Sequence, residues 1–569
     1  MSPLRLPGAR ALANYQTSWL RRDLVAGVVV TTLLVPQGMA YAELAGLPAI
    51  TGLYTTILCL VGYAVFGPSR ILVLGPDSSL GPMIAATILP ILGSNGDPAH
   101  AIALASMLAL LVGAVMIAAG VAKLGFVADL LSKPTQIGYM NGLALTILVG
   151  QLPKLFGFST DANGLIHEAH AFIHGVSSGE TVGAAVAVGV LSLAVILALG
   201  RWLPRVPGVL VAVVLAIAAT SVFDLASHGV SLVGTLPKGF PPLTVPSPVS
   251  DLPLLVAGAF GIALVALTDT ISTASAFAAR TGQDVNGDGE MIGIGAANVA
   301  AGFFQGFPVS TSGSRTAVAE QAGAKTQLTG VVGAGLIVLM LVFVPGLLKN
   351  LPNPTLAAVV IAASLSLADL PGTVRLWRQR RAECLLSIVA FLGVALLGVL
   401  EGIAVAVALS ILNVFRRAWW PYFTTLGRVP GLPGQHDREL HPEAEELPGL
   451  VIFRFDAPVF FANARTFRDE IRRLATAEPR PEWIVIAAEP MTDVDTTGAD
   501  MLYELDEELN AAGTSLVFAE LKDPVRAKLE RYELIGPLNP EHFFPTLDAA
   551  VEAFRRRTGA EWTAPVPVG

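Results

Sequence analysis

Two polar breaks, each set inside otherwise apolar sequence, constrain this chain more than anything else in it. They are Leu74-Gly75-Pro76-Asp77-Ser78-Ser79-Leu80-Gly81-Pro82 and Gly306-Phe307-Pro308-Val309-Ser310-Thr311-Ser312-Gly313-Ser314-Arg315. A fresh, short helical run follows each one, which predicts helices that begin inside a membrane rather than at its surface. Backbone outside a helix at that depth survives only where protein or a water-filled cavity satisfies it. Two such half-helices, in corresponding halves of one chain, point to the binding site of a secondary transporter.

Composition agrees. Of 569 residues, 53% are hydrophobic and only 14% charged, against about 25% charged in a soluble domain. Residues 23–425 hold nearly all the apolar runs, and ordinary charged sequence follows Arg428. The net charge of -8 therefore belongs largely to a soluble C-terminal part. No basic tract with interleaved aromatics suggests nucleic acid. Cys59 and Cys384 have no metal-ligand spacing and suggest no disulfide framework; they read as small core residues. Arg21 and Arg22 lead into a full-length span with no cleavage site after it, so that span is expected to stay in the mature protein.

Cutting at glycine, proline and charge clusters, with roughly 20 residues needed to cross, predicts fourteen segments. They fall near 23–42, 50–67, 77–93, 101–121, 126–150, 181–200, 207–223, 253–279, 290–305, 312–324, 328–347, 354–370, 382–399 and 402–425. The third and tenth are too short to cross alone. A cytoplasmic N-terminus puts fifteen Lys and Arg residues, among them Arg21, Arg205 and Arg280, on the inner side, and leaves Lys154, Lys238 and Lys349 outside. That partition supports an even number of spans with both termini in the cytoplasm. The breaks fall in the third span of each set of seven. An odd number per repeat inverts the second copy, giving repeats of about 23–223 and 253–425.

Two helix N-termini facing one cavity, each with a partial charge of roughly +0.5, form a site for an anion. Ser78, Ser79, Ser312 and Ser314 can cap these helices or donate to a ligand, and Gly313 opens the tenth span. Arg315 adds a full charge, placed either in the cavity or low enough to count as an inner-loop residue. Asp269, within Leu267-Thr268-Asp269-Thr270, stands roughly 24 Å into the eighth span at 1.5 Å per residue. A carboxylate there holds a proton or a cation, or pairs with Arg315 or a backbone N–H; Asp269 and Thr270 are the candidate coupling-ion residues. In the first span Gln37 and Tyr41 share a face beside Pro36 and Gly38, which loosen the helix. Glu43, nearer the outer end, is either a proton-coupling group or simply solvated. Asp77 repels an anion if charged, or caps the third span.

Several patterns are decoys. Asp284-Val285-Asn286-Gly287-Asp288-Gly289 begins like a calcium loop, but its twelfth position is Gly295 rather than Glu, so it reads as a cytoplasmic turn. The glycines near Gly293 and Gly330 match no phosphate loop and suit close helix packing. No metal site is expected, and no nucleophile–base constellation suggests an enzyme.

From Leu450 the texture is strand (451–455), strand (459–461), helix (464–477) and buried strand (483–486). A turn at Asp495-Thr496-Thr497-Gly498, a helix to Ala512, a strand (515–518) and helices near 524–533 and 546–556 follow. This predicts a small α/β layer domain over 450–557, behind a linker at 428–449 and before a tail at 558–569. The N-terminal segment is 1–22 and the transport domain 23–427. Asp495, Thr496 and Thr497 stand where an N-cap belongs; phosphorylation of Thr497 is the alternative.

Val35-Pro36-Gln37-Gly38-Met39-Ala40-Tyr41-Ala42, Leu74-Gly75-Pro76, Ser314-Arg315 and Lys325-Thr326-Gln327-Leu328-Thr329-Gly330 together resemble the sulfate permease family, solute carrier family 26 in its animal branch. The Asp-Thr-Thr-Gly turn resembles the anti-sigma-factor-antagonist (STAS) domain. The resemblance implies a polytopic α-helical membrane protein with fourteen spans in two inverted repeats of seven. It also implies a core domain moving against a gate domain, a cytoplasmic STAS domain and a homodimer. The anion site would lie between the third and tenth spans, with Gln37, Tyr41, Asp77, Ser314 and Arg315 at lining positions. Relatives often carry Glu at Asp269 and an apolar residue at Asp77; in freestanding STAS relatives the phosphorylated hydroxyl matches Thr497. Family substrates include sulfate, bicarbonate, chloride, oxalate and dicarboxylates, and bacterial members usually run as proton or sodium symporters.

The leading expectation is therefore a coupled importer of a small anion, a dicarboxylate such as fumarate or a sulfate- or bicarbonate-type oxyanion. It would work across the inner membrane with a co-transported proton and no bound cofactor. Sodium-coupled bicarbonate symport, anion exchange, an anion channel, and a nucleobase–cation symporter of the same uracil-permease-like architecture are the alternatives. A sensor or scaffold centred on the C-terminal domain is another.

Overall fold

The computed structural model describes residues 6–93, 96–126, 131–160, 164–204, 206–246, 252–281 and 285–563. Asp284, Arg205 and the start of the expected fifth span (127–130) lie outside them. The chain forms two compact units, residues 1–411 and 412–569.

Each of the fourteen expected segments holds a helix. They are α1 (Leu20–Leu44), α2 (Ala49–Phe66), α3 (Gly81–Leu92), α4 (Pro98–Val121), α5 (Lys133–Phe156), α6 (Gly183–Trp202) and α7 (Gly208–Phe223). The second half has α8 (Leu252–Thr281), α9 (Gly287–Gly302), α10 (Gly313–Gln321), α11 (Leu328–Phe343), α12 (Asn353–Leu367), α13 (Arg381–Leu392) and α14 (Val399–Trp419). Among the described residues, seven stretches of helix are long and apolar enough to cross a bilayer by themselves. The 12-residue α3 and 9-residue α10 are not.

Several boundaries move for local reasons. α5 begins at Lys133, not near 126, with Pro134 at a position whose N–H needs no partner. α3 begins at Gly81 rather than Asp77, with Pro82 in its first turn. Two helices absent from the expected set, Leu165–Ser177 and Leu370–Gln379, occupy connections. α14 stops at Trp419, six residues before the expected end at 425, because a strand begins at Phe423.

Packing follows the expected repeat. α4 packs on α9, and its counterpart α11 packs on α2; α1 on α11 is matched by α8 on α4. Two further pairs repeat the pattern, α5 against α13 and α12 against α6. Small residues permit the close crossings. A Cβ on Gly52 of α2 would fall 1.8 Å from the Gly38 carbonyl oxygen of α1, and one on Gly113 of α4 would fall 2.7 Å from that of Gly295 in α9.

The second unit is a six-stranded sheet in the order β4-β3-β5-β6-β7-β8. Its strands are β3 (Phe423–Arg428), β4 (Gln435–Asp437), β5 (Leu450–Phe455), β6 (Trp483–Ala487), β7 (Ser515–Ala519) and β8 (Phe543–Phe544). Pairs β5–β6, β6–β7 and β7–β8 are parallel, while β3 is antiparallel to both its neighbours. The helices are α15 (Ala464–Ala475), α16 (Thr496–Ala511), α17 (Asp523–Arg531) and α18 (Leu547–Thr558). Two expectations change. The stretch 428–449 is not a free linker: β4 lies in it, and Arg428 bridges Glu445. The expected strand 459–461 reduces to one bridge, Val459 to Val494. There the Asn463 side chain accepts from the Phe460 N–H at 3.0 Å and turns the chain into α15.

Candidate functional site

The two breaks meet. β1 (Leu74–Gly75) pairs antiparallel with β2 (Ser310–Thr311), Leu74 opposite Thr311 and Gly75 opposite Ser310. Side chains from surrounding helices satisfy the backbone around this crossing, as non-helical chain in lipid requires. Asn298 of α9 binds Val309 twice, accepting from its N–H at 2.9 Å and donating to its carbonyl at 3.3 Å. Thr316 accepts from the Val73 N–H at 3.1 Å, and Thr55 from that of Phe307 at 3.1 Å. The Gln327 amide donates to the Ser69 and Leu72 carbonyls, both at 2.9 Å.

Beyond the crossing, the turn before α3 and the first turn of α10 border a cavity of about 680 Å³. Gln37 and Tyr41 of α1, Asp77 and Ser78 before α3, Asp269 of α8, and Ser312, Gly313 and Ser314 of α10 all line it. Ser312 caps α10, accepting from the Arg315 N–H at 3.5 Å, and its hydroxyl lies 3.1 Å from that of Ser314. No side chain caps α3. Ser78 and Ser79 therefore are not its caps, and the turn is closed one step earlier. Asp77 accepts from the Ser79 N–H at 3.0 Å through Oδ1, and its carbonyl accepts from Gly81 N–H at 3.2 Å.

Arg315 is fully buried and lies behind the crossing rather than in the cavity wall. A Cβ on Gly75 would come 2.7 Å from its Nη1, so any side chain there would force the guanidinium to shift. Among the described residues its three side-chain nitrogens have no hydrogen-bond partner, and it meets the acid Asp77, Nη2 to Oδ2 at 3.9 Å. Ser79, also buried, sits between two carboxylates, with its Oγ 2.7 Å from Asp77 Oδ1 and 2.9 Å from Asp269 Oδ2.

Besides Arg315 and Ser79, which lie behind the lining, two further candidates do not reach the cavity. Thr270 is buried, donating to the Ala266 carbonyl at 2.7 Å and accepting from the Thr311 hydroxyl at 3.2 Å, so it anchors β2 to α8. Glu43 lies two residues beyond Tyr41, about half a turn round the helix, and its carbonyl accepts from Lys154 Nζ at 3.2 Å. Ser272 and Thr273 of α8 and Gln136 of α5 line the cavity unforeseen. The first two were readable from Asp269, since positions three and four apart share a helix face. A second cleft of about 770 Å³ between α4, α8 and α14 is almost wholly apolar and offers an anion no donor.

In the second unit Asp495 alone caps α16, accepting from the Gly498 N–H at 2.7 Å and, through its other oxygen, from the Phe461 N–H at 3.0 Å. Thr496 and Thr497 fall inside the helix, not at its cap, and both are exposed. Among the described residues no cluster of His, Cys, Asp or Glu could hold a metal ion.

A cavity at the meeting of the two breaks, with hydroxyls, an amide and two carboxyls among apolar side chains, marks a multi-pass membrane transporter for a small anion rather than an enzyme. The sulfate permease family model matches residues 20–390 and the STAS domain model residues 441–550. The chain belongs to the sulfate permease family. It is 43% identical over 553 residues to a probable sulfate transporter of Mycobacterium tuberculosis (strain CDC 1551 / Oshkosh), covering 97% of this chain and 98% of the relative. It is 30% identical to probable sulfate transporter 3.3 of Arabidopsis thaliana, covering 95% and 89%. The fold is that of the murine Solute Carrier 26 family member A9 anion transporter in the inward-facing state (TM-score 0.87, 24% identity, covering 97% and 94%). The transmembrane domain of a cyanobacterial bicarbonate transporter, BicA, is more distant (TM-score 0.60, 20% identity, covering 70% and 98%).

Proposed function

We propose that this protein imports sulfate together with protons across the inner membrane by alternating access, as a homodimer with both termini in the cytoplasm. The observation that carries the proton is the charge balance at the cavity: one guanidinium, Arg315, against two carboxylates, Asp77 and Asp269. With both acids ionised the site is net negative, and roughly half a positive charge at each helix N-terminus does not overcome that for a dianion. A proton entering with the anion does. Sulfate is favoured among oxyanions by the names of the relatives 43% and 30% identical to this chain; fumarate-type dicarboxylates and bicarbonate suit the same donors. Thr497, exposed at the start of α16, is the regulatory phosphorylation candidate.

Uptake of labelled sulfate into proteoliposomes tests this. Inward flux should rise when the outside is made acidic and should be competed by unlabelled sulfate more strongly than by fumarate or bicarbonate. Flux indifferent to the pH gradient but driven by a sodium gradient would replace the proton with sodium, and sustained single-channel current would replace coupled transport with a pore.

A further inference from the structure

The helix Leu370–Gln379, in the connection from α12 to α13, presents three different faces. At about 100° per residue, Gly372, Thr373 and Leu376 fall together and turn inward. Gly372 and Leu376 are buried, and Leu376 shares a small apolar cluster with Ile137 of α5 and Cys384 of α13. Polar contacts fix the same end to α5. Asp369 caps the helix, accepting from the Gly372 N–H at 2.8 Å. Asn141 of α5 accepts from the Asp369 N–H at 2.7 Å and donates to the Thr373 hydroxyl at 3.0 Å.

The second face is apolar and points away from the protein. Leu370, Val374 and Trp377, four and three residues apart, are 66%, 52% and 58% exposed. The third face is basic. Arg375 and Arg378 are exposed and pair with no acid among the described residues. Two more arginines follow the helix. Arg380 donates to Glu383 at 3.1 Å, and the Arg381 guanidinium lies 5.7 Å from the centre of the Trp377 ring. The flanking helices α12 and α13 are membrane segments, so this helix sits where chain leaves and re-enters the bilayer.

We propose that Leu370–Gln379 docks on anionic phospholipid headgroups, with its apolar face among the acyl chains and Arg375 and Arg378 on the phosphates. A helix with arginines on one face and Trp and Leu on another lies in the plane of the membrane surface. Tryptophan favours the headgroup level, and basic residues beside a span attract anionic lipid. Arginine suits this role, because its planar fork of donors matches a phosphate. The contact also reaches the transport site. Asn141 ties the helix to α5, and α5 brings Gln136 to the cavity wall. Bound lipid thus holds that wall at a fixed depth. The proposal does not depend on which ion accompanies the anion.

The test is the melting temperature of purified full-length protein in detergent, titrated with phosphatidylglycerol or with phosphatidylcholine of the same acyl chains. Wild type should be stabilised at about tenfold less phosphatidylglycerol than phosphatidylcholine. In the double variant Arg375→Gln, Arg378→Gln the phosphatidylglycerol midpoint should rise about twentyfold, since each basic residue at an anionic surface contributes roughly fivefold. Arg375→Lys with Arg378→Lys keeps both charges and should stay within about threefold of wild type. Equal response to the two lipids, or an unmoved midpoint in the glutamine variant, would overturn the proposal. Inorganic phosphate that reproduces the shift in wild type, but not in the glutamine variant, would make this a site for free phosphate and overturn the membrane reading. Light scattering on the same samples covers a second copy of the chain. An oligomer lost in the glutamine variant, with its lipid response intact, would assign the face to that copy instead.

Discussion

The carboxylates of Asp77 and Asp269 come from opposite halves of the chain and meet at a single hydroxyl, Ser79 Oγ, at 2.7 and 2.9 Å. Asp77 closes the turn before α3, and Asp269 lies in the middle of α8. Between them they connect a half-helix to a full span, so any change of charge at one acid is felt at both.

Removing the shared hydroxyl should therefore harm transport more than folding. Ser79→Ala leaves two half-buried acids of the cavity wall facing each other with one donor fewer. A hydrogen bond to a charged group contributes about 1.5–3 kcal/mol, which corresponds to a loss of roughly tenfold or more in uptake at a fixed pH gradient. Ser79→Thr keeps the oxygen and should restore most of the rate. Equal loss in both variants would mean that steric fit, not the hydroxyl, matters at this position.

Gly75→Ala should act on Arg315 without touching it chemically. The new methyl would begin 2.7 Å from Nη1 and 3.2 Å from Cζ, and Arg315 is fully buried, with no exposed space to move into. Overpacking of this kind costs about 1–3 kcal/mol. Sulfate affinity should fall about tenfold or more, measured by thermal shift, and Arg315→Gln should produce a similar loss. Unchanged affinity in the Gly75→Ala variant would show that the guanidinium position is not critical.

The sequence exposed the parts of this architecture that obey simple rules. Apolar length and glycine or proline punctuation located fourteen helices, and the two polar breaks located the crossing of β1 and β2. Long-range pairing was not legible. Nothing local in Gly306–Arg315 says that Arg315 turns behind the strands towards Gly75, nor that Ser79 spans to Asp269. Short strands without alternation failed for the same reason: β4 is three residues long and β8 two, and both exist only through their neighbours. Asp23, beside Arg21 and Arg22, gave no local signal either.

That residue accounts physically for part of the Lys325-Thr326-Gln327-Leu328-Thr329-Gly330 run. Asp23 of α1 is fully buried and accepts from the backbone N–H of Lys325 at 2.6 Å and of Thr326 at 3.2 Å. The Thr326 and Thr329 hydroxyls donate to it at 2.7 and 3.3 Å. It thus ties the loop before α11 to α1, pairing two buried backbone N–H groups that precede that helix. Asp23→Ala strands these donors, at about 1–3 kcal/mol for each group left buried and unpaired. The melting temperature in detergent should drop by several degrees, and Asp23→Asn, which keeps one acceptor oxygen, should drop less. An unchanged melting temperature for both would show that water replaces the Asp23 carboxylate in this loop.

In the C-terminal unit, Asp506 predicts a pH dependence of stability. It lies on the buried side of α16, accepts from the Asn510 amide at 2.8 Å through Oδ2, and leaves Oδ1 without a partner. Burial pushes its carboxyl up to about 6, with the charge of Glu507 adding to the effect and the Asn510 hydrogen bond opposing it. In the unfolded chain an aspartate titrates near 3.9, so between those values the folded state binds more protons. Stability from this group is full below about pH 4 and is lost as pH rises through about 6. Asp506→Asn removes the charge and keeps the hydrogen-bonding shape. At pH 7.5 it should stabilise the unit by about 1 kcal/mol, less than the full shift implies because solvent screens part of it. The gain should vanish below about pH 4. Hydrogen exchange of the β5, β6 and β7 amides reads this directly, and a variant no more stable than wild type at pH 7.5 would mean that the Asp506 carboxylate is solvated in the folded unit.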